Sequence, residues 1–326
     1  MNRRDFLLST GSAALATVGT SCAALHPAAP DALIIDTHQH LWDRRQLNLP
    51  WLVNAPKILQ HNYTTEVYQQ AFAGYRVKSI YMEVDVAPSD HVKEADFIVD
   101  LARQGKTTTI AATIGGRPAD PAFEAYVKRY AGNGIVKGLR QVLHGDSTPK
   151  GFCLQPAFVQ GVRTLGVNGL NFELTMRPME LIDGVKLTEL CPDTRFVLDH
   201  CGNGDPKTFN SKLGPGLKRN GTADGWKRGI DAFAKRPNVI CKISGILASV
   251  PPHRWKAEDL APVVNHCLDS FGPKRVVFGG DWPVCLLGGK ASEWIEALKQ
   301  IVAHRAEDER RRLWSGNAIK HYQLSV

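Results

Sequence analysis

The stretch Ala32-Leu33-Ile34-Ile35-Asp36-Thr37-His38-Gln39-His40 decides how the chain is read. An apolar run leads into a polar segment that carries two histidines with one residue between them. Alternate residues of an extended chain point to the same side, so both imidazoles leave the end of one strand in a common direction. Such a pair is a platform for a divalent metal or for polarising a carbonyl. The layout returns downstream in Val197-Leu198-Asp199-His200 and in Val277-Phe278-Gly279-Gly280-Asp281, again apolar runs that end in polar residues. Strand ends that deliver His38, His40, His200 and Asp281 describe an enzyme built on a barrel of parallel strands.

Working outward from these ends, short β-branched runs alternate with helix-period segments, the pattern of βα units around a parallel sheet. Strands are expected at residues 32–37, 77–85, 107–114, 135–142, 168–175, 194–200, 238–244 and 275–280. Between them, Phe123, Tyr126, Val127 and Tyr130 follow helical spacing, with Asp120-Pro121 as cap and first turn. Trp226, Ile230, Phe233 and Ala234 do the same, as do Leu260, Val263, Val264, Cys267, Leu268 and Phe271. The expected fold class is α/β, a single (β/α)8 TIM-type barrel over residues 31–326 with extended loops on the carboxyl face. Residues 41–62, with Trp42, Pro50, Trp51 and His61, and the glycine-rich residues 201–225, with Pro206 and Pro215, exceed simple connections. Both follow strands, so they are expected as substrate walls or a lid.

Residues 1–30 read as a leader and short linker rather than as part of the barrel. Arg3-Arg4 followed by Phe6-Leu7-Leu8, and a small-residue apolar stretch from Leu15 to Leu25, form a twin-arginine signal. It implies export by the Tat translocon to the periplasm, with cleavage between Ser21 and Ala29. A lipid anchor on Cys22 is the weaker reading, because Gly19-Thr20-Ser21 lacks the large aliphatic residue that usually precedes such a cysteine. No other segment approaches the ~20 apolar residues that span a bilayer, so no stable membrane anchoring is expected.

The 40 Lys and Arg against 32 Asp and Glu give a net charge of +8. These bases are scattered, and the densest run, Arg310-Arg311-Arg312, follows Glu307-Asp308-Glu309. That is a solvated helix face with at most a mild preference for anionic substrates, not a nucleic-acid surface. The 7 cysteines are irregularly spaced, and those such as Cys241 and Cys267 lie in apolar patterns. Buried thiols are expected, without a disulfide framework.

Asp281 ends a strongly apolar strand and precedes Trp282-Pro283, which holds its carboxylate at the barrel mouth. A carboxylate near imidazoles suits a general base that takes a proton from water. Arg140 and Lys242 lie in strand patterns where long cations are costly unless paired or solvated. Pointing into the mouth they would bind an anionic or carbonyl oxygen; otherwise they would pair with Glu83 or Glu173, which occupy comparable strand positions. Trp42, Trp51 and Trp282 could stack on a ring substrate or simply pack.

Four blocks carry a resemblance. Asp36-Thr37-His38-Gln39-His40-Leu41-Trp42-Asp43, Leu198-Asp199-His200-Cys201-Gly202, Cys241-Lys242-Ile243-Ser244-Gly245 and Phe278-Gly279-Gly280-Asp281-Trp282-Pro283-Val284 resemble the amidohydrolase-2 branch of the amidohydrolase superfamily. Within it they are similar to the L-fuconolactonase and L-rhamnonolactonase-like sugar lactonases, as are Ser315-Gly316-Asn317-Ala318 and Tyr322. The resemblance covers residues 32 to 322 and implies a barrel with catalytic roles on His38, His40, His200 and Asp281. Binuclear members also carry a lysine or glutamate after the fourth strand. Arg140 and Gln141 stand there, so a two-metal centre is not expected. Decarboxylases of the branch also use a histidine after the fifth strand, and Leu170–Thr175 has none. The resemblance therefore leans toward a lactonase that requires no cofactor or carries one divalent ion, zinc or manganese. In the metal case His38, His40, His200 and Asp281 would be the ligands.

The expected reaction is hydrolysis of a sugar or sugar-acid lactone, with Asp281 as base, the three histidines polarising the carbonyl, and Arg140, Lys242, Glu83, Trp42 and Trp282 on the substrate. A metal-dependent decarboxylase of an aromatic or unsaturated acid, and a non-catalytic periplasmic sugar-acid binding protein, are the alternatives. The expected partners are a small-molecule substrate, the Tat translocon and a second copy of the chain in a homo-oligomer.

Overall fold

A computed structural model describes residues 32–145, 148–214 and 221–326. The twin-arginine pair, Cys22 and Pro215 lie outside these residues. Eight strands form one parallel sheet in sequential order: β1 (Ile34–Gln39), β2 (Val77–Met82), β3 (Thr109–Gly115), β4 (Val136–Val142), β5 (Asn171–Thr175), β6 (Arg195–Leu198), β7 (Val239–Ile243) and β8 (Val276–Phe278). A helix follows each strand: α1 (Thr65–Ala71), α2 (His91–Arg103), α3 (Phe123–Tyr130), α4 (Pro156–Val167), α5 (Leu181–Leu190), α6 (Ala223–Ala234), α7 (Ala257–Phe271) and α8 (Ala291–Ile301). This is the (β/α)8 barrel that the alternating pattern predicts. The expected strands all occur; β1 and β3 start two residues later than expected and end two and one residues later, and the others are shortened at their ends by one to three residues. Asp120 does not cap α3 from the expected position; its side chain accepts from the Ala122 amide at 2.8 Å, and Ala122 precedes the helix.

The seam between β8 and β1 is closed partly by side chains, because β8 is short and the register of β1 shifts between Asp36 and Gln39. Thr37 Oγ1 donates to the Phe278 carbonyl (2.7 Å), and the Gly280 amide donates to Asp36 Oδ1 (2.7 Å). The His40 amide then donates to the Trp282 carbonyl (2.8 Å). The residues that close the barrel are thus neighbours of those that make the site.

Two apolar clusters fill the structure. The larger packs the outer strand faces against the helices, including the helical stripes expected from the sequence. The smaller takes Ile35, Ile80, Ala111, Val197, Ile240 and Val277 from six strands, capped by Ala318 and Tyr322 near the C-terminus. Burial on both faces explains why these strands read as continuous apolar runs. The described cysteines are all free and buried. Arg311 and Arg312 both pair with Asp308 on the surface, at 2.5 and 2.7 Å. Among the described residues no helix is long and apolar enough to cross a membrane.

Candidate active site

The β1 end is organised by Asp36, which accepts from the His38 amide (3.0 Å), the Gly280 amide (2.7 Å) and the Tyr68 hydroxyl (2.8 Å). With the backbone so held, His40 turns into the barrel mouth and His38 lies buried beside it. His40 Nδ1 lies 3.0 Å from the Met82 carbonyl oxygen, an atom that only accepts, so Nδ1 carries the ring proton and Nε2 is a bare acceptor. At the β6 end His200 Nδ1 lies 2.9 Å from Ser244 Oγ. Asp281 follows β8 with a left-handed backbone (φ +53°). Its Oδ1 stands 3.5 Å from His40 Nε2, 3.7 Å from His38 Nε2 and 4.0 Å from His200 Nε2. The sequence places these residues on separate strand ends, and the barrel brings them together.

Beneath this cluster lies a buried ionic network. Lys242 Nζ reaches Glu173 Oε2 (2.6 Å) and His38 Nδ1 (3.2 Å) and pairs by charge with Asp199 Oδ1 (3.0 Å). Arg140 gives Nε to Glu83 Oε1 (2.6 Å) and NH2 to the Glu83 carbonyl (2.9 Å), and its NH1 lies 3.3 Å from His38 Nε2. Asp199 is held by charge rather than by aligned hydrogen bonds, with Arg140 3.6 Å away. Burial alone would raise Asp199, but Lys242 and His38 hold it well below the usual carboxylate range. Burial, then the Lys242 ammonium, keep His38 well below the ordinary histidine value, so it is neutral. Burial also lowers His200, against the pull of Asp281. Glu173 is pushed up by burial, against Lys242, to about 7.

Several expected substrate contacts are corrected by this geometry. Lys242 is wholly buried and is not in the wall of the cavity; it braces His38 from behind, because its ammonium is engaged by Glu173 and Asp199 below the site. Glu83 likewise holds Arg140 instead of facing the mouth. Trp282 packs edge-on against Tyr63 and Tyr68, 5.1 and 5.4 Å between centroids, and leaves no face for stacking. Trp42 lines the cavity wall while packing edge-on against Trp51 and Tyr63. Arg140 does line the cavity.

That cavity encloses about 480 Å³ at the carboxyl ends of the strands, with His40, Arg140, His200 and Asp281 in its wall. The excursion after β1 supplies Trp51, pinned by its indole N–H to the Val84 carbonyl (2.7 Å). The segment after β6 supplies Asn203 and Gly204. Five polar lining residues escaped sequence reasoning: Asp85, His144, Arg177, Asn203 and Ser249. Each lies in a loop just past a strand, where no periodicity marks it. Asp199 was also missed as a site residue, although it adjoins His200.

The chemistry of the donor set tests whether an ion fits. Ligand atoms of His38, His200 and Asp281 lie within 4.8 Å of one another. The 3.5 Å from His40 Nε2 to Asp281 Oδ1 is close to the ~3.4 Å edge of a tetrahedron with metal bonds of about 2.1 Å. His38 joins the set through Nε2 only in the tautomer whose Nδ1–H faces Asp199, 3.6 Å away. The residues therefore fit one divalent ion held by His38, His200 and Asp281, with His40 beside Asp281.

Strand-end histidines and a carboxylate at the mouth of a (β/α)8 barrel define a hydrolase-type site. The family described as Amidohydrolase matches residues 35–324, and the chain belongs to it. It is 27% identical over 300 residues to an L-fucono-1,5-lactonase of Burkholderia multivorans, covering 90% of this chain and 97% of the relative. A second L-fucono-1,5-lactonase, from Burkholderia ambifaria, is 25% identical over 301 residues, covering 89% and 95%. The crystal structure of an amidohydrolase from Burkholderia multivorans with bound zinc superposes with a TM-score of 0.77 at 26% identity, covering 90% of this chain and 100% of that one.

Proposed function

We propose that this chain opens the ring ester of a lactone, with a sugar or sugar-acid lactone as the substrate class. One observation carries the reading: a single carboxylate oxygen of Asp281, in the wall of a cavity, faces imidazole nitrogens of His40, His38 and His200 at 3.5 to 4.0 Å, with His40 and His200 in the same wall. The names of the two Burkholderia relatives support the substrate class.

Ester hydrolysis needs a base for water and donors where the carbonyl oxygen becomes anionic. Asp281 offers only acceptors and is the general base. As the water oxygen bonds to the carbonyl carbon, its proton passes to Asp281. His40 Nε2, a bare acceptor, orients the same water. Arg140, whose guanidinium lines the cavity, donates to the oxyanion, and His38 lies buried behind it with Lys242 at its Nδ1. Collapse of the adduct breaks the ring C–O bond, and the proton returns from Asp281 to the departing alkoxide, leaving a hydroxy acid. A bound divalent ion would supply additional positive charge to polarise the ester carbonyl. Lys242 and Glu83 touch no substrate; they position His38 and Arg140.

The test is a panel of aldono-1,4- and 1,5-lactones followed by indicator-detected proton release, with and without chelator. Turnover of a lactone is expected. Silence across the panel with carbon dioxide release from an aromatic acid would replace the reading with a decarboxylase, and tight binding without turnover would replace it with a binding protein. We further propose export through the twin-arginine signal; mature protein found only in the cytosol would overturn that.

A further inference from the structure

Left-handed backbone is unfavourable for residues with a Cβ and least so for Asp and Asn, and it gathers at functional sites. Among the described residues, Asp85, His200, Asn203 and Asp281 share such a backbone (φ +49° to +54°) and all line the one cavity. His200 and Asp281 belong to the reacting cluster. Asp85 and Asn203 have no part in it.

Asp85 follows β2. Its amide donates to Glu83 Oε2 (2.6 Å), and its Oδ1 accepts from Arg117 NH2 (3.0 Å). The same guanidinium is tied to the Gly116 carbonyl at the end of β3 (3.1 Å). Among the described residues no protein donor reaches Asp85 Oδ2. Asn203, after β6, gives Nδ2 to the Met176 carbonyl (2.9 Å), which leaves its Oδ1 as an acceptor without a protein donor among the described residues. Asp85 thus offers only acceptors to the cavity, and Asn203 offers an acceptor besides its second amide N–H.

The cations in that wall are already matched. Arg177 is engaged by Glu180 (2.8 and 2.9 Å), the Gly145 carbonyl (2.9 Å) and the Thr148 carbonyl (3.0 Å). Arg140 is paired with Glu83 at 2.6 Å. Burial and the Arg140 charge hold His144 down to about 4, so it is neutral. Free acceptors beside compensated cations suit hydroxyl donors and oppose a carboxylate or phosphate.

We propose that Asp85 and Asn203 determine specificity by accepting hydrogen bonds from the hydroxyls of a neutral, polyhydroxylated ring, with Arg117 as the positioning residue for Asp85. The inference rests on the lactone reading for the identity of the ring, but hydroxyl recognition itself does not depend on bond cleavage.

The test uses Asp85→Asn in the full chain. Asparagine tolerates the same backbone and still accepts from Arg117, while its amide puts a donor where Oδ2 stood. The quantity read is the ratio of kcat/KM for a polyhydroxylated 1,5-lactone over unsubstituted δ-valerolactone. The ratio is expected to fall about ten- to a hundredfold. Arg117→Met should raise KM for the hydroxylated lactone more than it lowers kcat. An unchanged ratio in Asp85→Asn overturns the proposal, whatever happens to the absolute rates. Calorimetric binding of a 1,5-anhydroalditol, which has the hydroxyls but no ester, separates the two readings. If wild-type protein hydrolyses no lactone yet binds the anhydroalditol and loses it in Asp85→Asn, the lactone reading fails and the specificity assignment stands. Binding that Asp85→Asn leaves unaltered, or no binding, overturns the assignment.

Discussion

His40 Nε2 stands 3.5 Å from Asp281 Oδ1, while Nδ1 of the same ring is bound to the Met82 carbonyl oxygen at 3.0 Å. The imidazole proton is thereby committed to Met82, and two acceptors face each other across the cavity wall. A water that gives up a proton, or a cation, relieves that opposition. Asp281→Asn removes the charge and the base together. The expected fall in kcat is about 10²–10⁴-fold with the melting temperature near that of wild type. Near-normal turnover in that variant would remove Asp281 from the mechanism.

Removing metal should leave measurable lactone hydrolysis. Arg140, a permanent cation in the cavity wall, still donates to the carbonyl oxygen. Adding zinc at His38 Nε2 should fix the ring proton on Nδ1, facing Asp199, as read in nitrogen-15 histidine spectra. Complete loss of activity in chelator, restored by zinc, would show that this donor is insufficient.

Lys242→Met strands Glu173 and Asp199, both fully buried, without their shared cation. Breaking a buried pair in this way costs about 3–5 kcal/mol. A lowered melting temperature is expected, partly restored by adding Glu173→Gln, which removes one orphaned charge. Equal stability of wild type and the single variant would contradict the bracing role.

Gly245 has a left-handed backbone (φ +72°), and a Cβ there would collide with Cγ and Nδ1 of His200. Gly245→Ala should displace the imidazole and lower kcat roughly 10²-fold, since small misplacements at a reacting centre are costly. The backbone itself adds about 1–2 kcal/mol of strain. Unaltered kcat would mean that His200 is not confined by this contact.

Burial, with the Glu83 carboxylate beside it, pushes Glu94 from 4.5 up to about 8. The native state then holds a proton that the unfolded chain releases above its lower value. This group therefore makes stability fall as pH rises between about 4.5 and 8, by at most about 1.4 kcal/mol per pH unit. Glu94→Gln should flatten that part of the stability profile measured by denaturant unfolding. Parallel profiles for the two proteins would disprove the buried neutral carboxyl.

Much of the architecture was legible because each strand is buried on both faces and each helix on one. Apolar runs such as Val197-Leu198 and stripes such as Leu260, Val263, Val264 and Cys267 therefore report their own environment. His38, His40, His200 and Asp281 were legible for a related reason: they follow such runs, and the residue after a barrel strand lies at the mouth. Asp85, His144, Arg177 and Asn203 were not, since a loop residue's direction depends on turns that no period encodes.

The sequence by itself determined the barrel, its strand order and the residues at the strand ends, because these follow from local periodicity and from chain order. Only the tertiary structure decided which long cation reaches the cavity. Arg140 and Lys242 both sit in strand patterns beside possible acidic partners, yet Arg140 lines the mouth and Lys242 is sealed among Glu173, Asp199 and His38. That difference comes from the depth at which each strand places its side chain in the barrel. Depth depends on the stagger between neighbouring strands, and stagger is a property of the closed sheet rather than of any one segment.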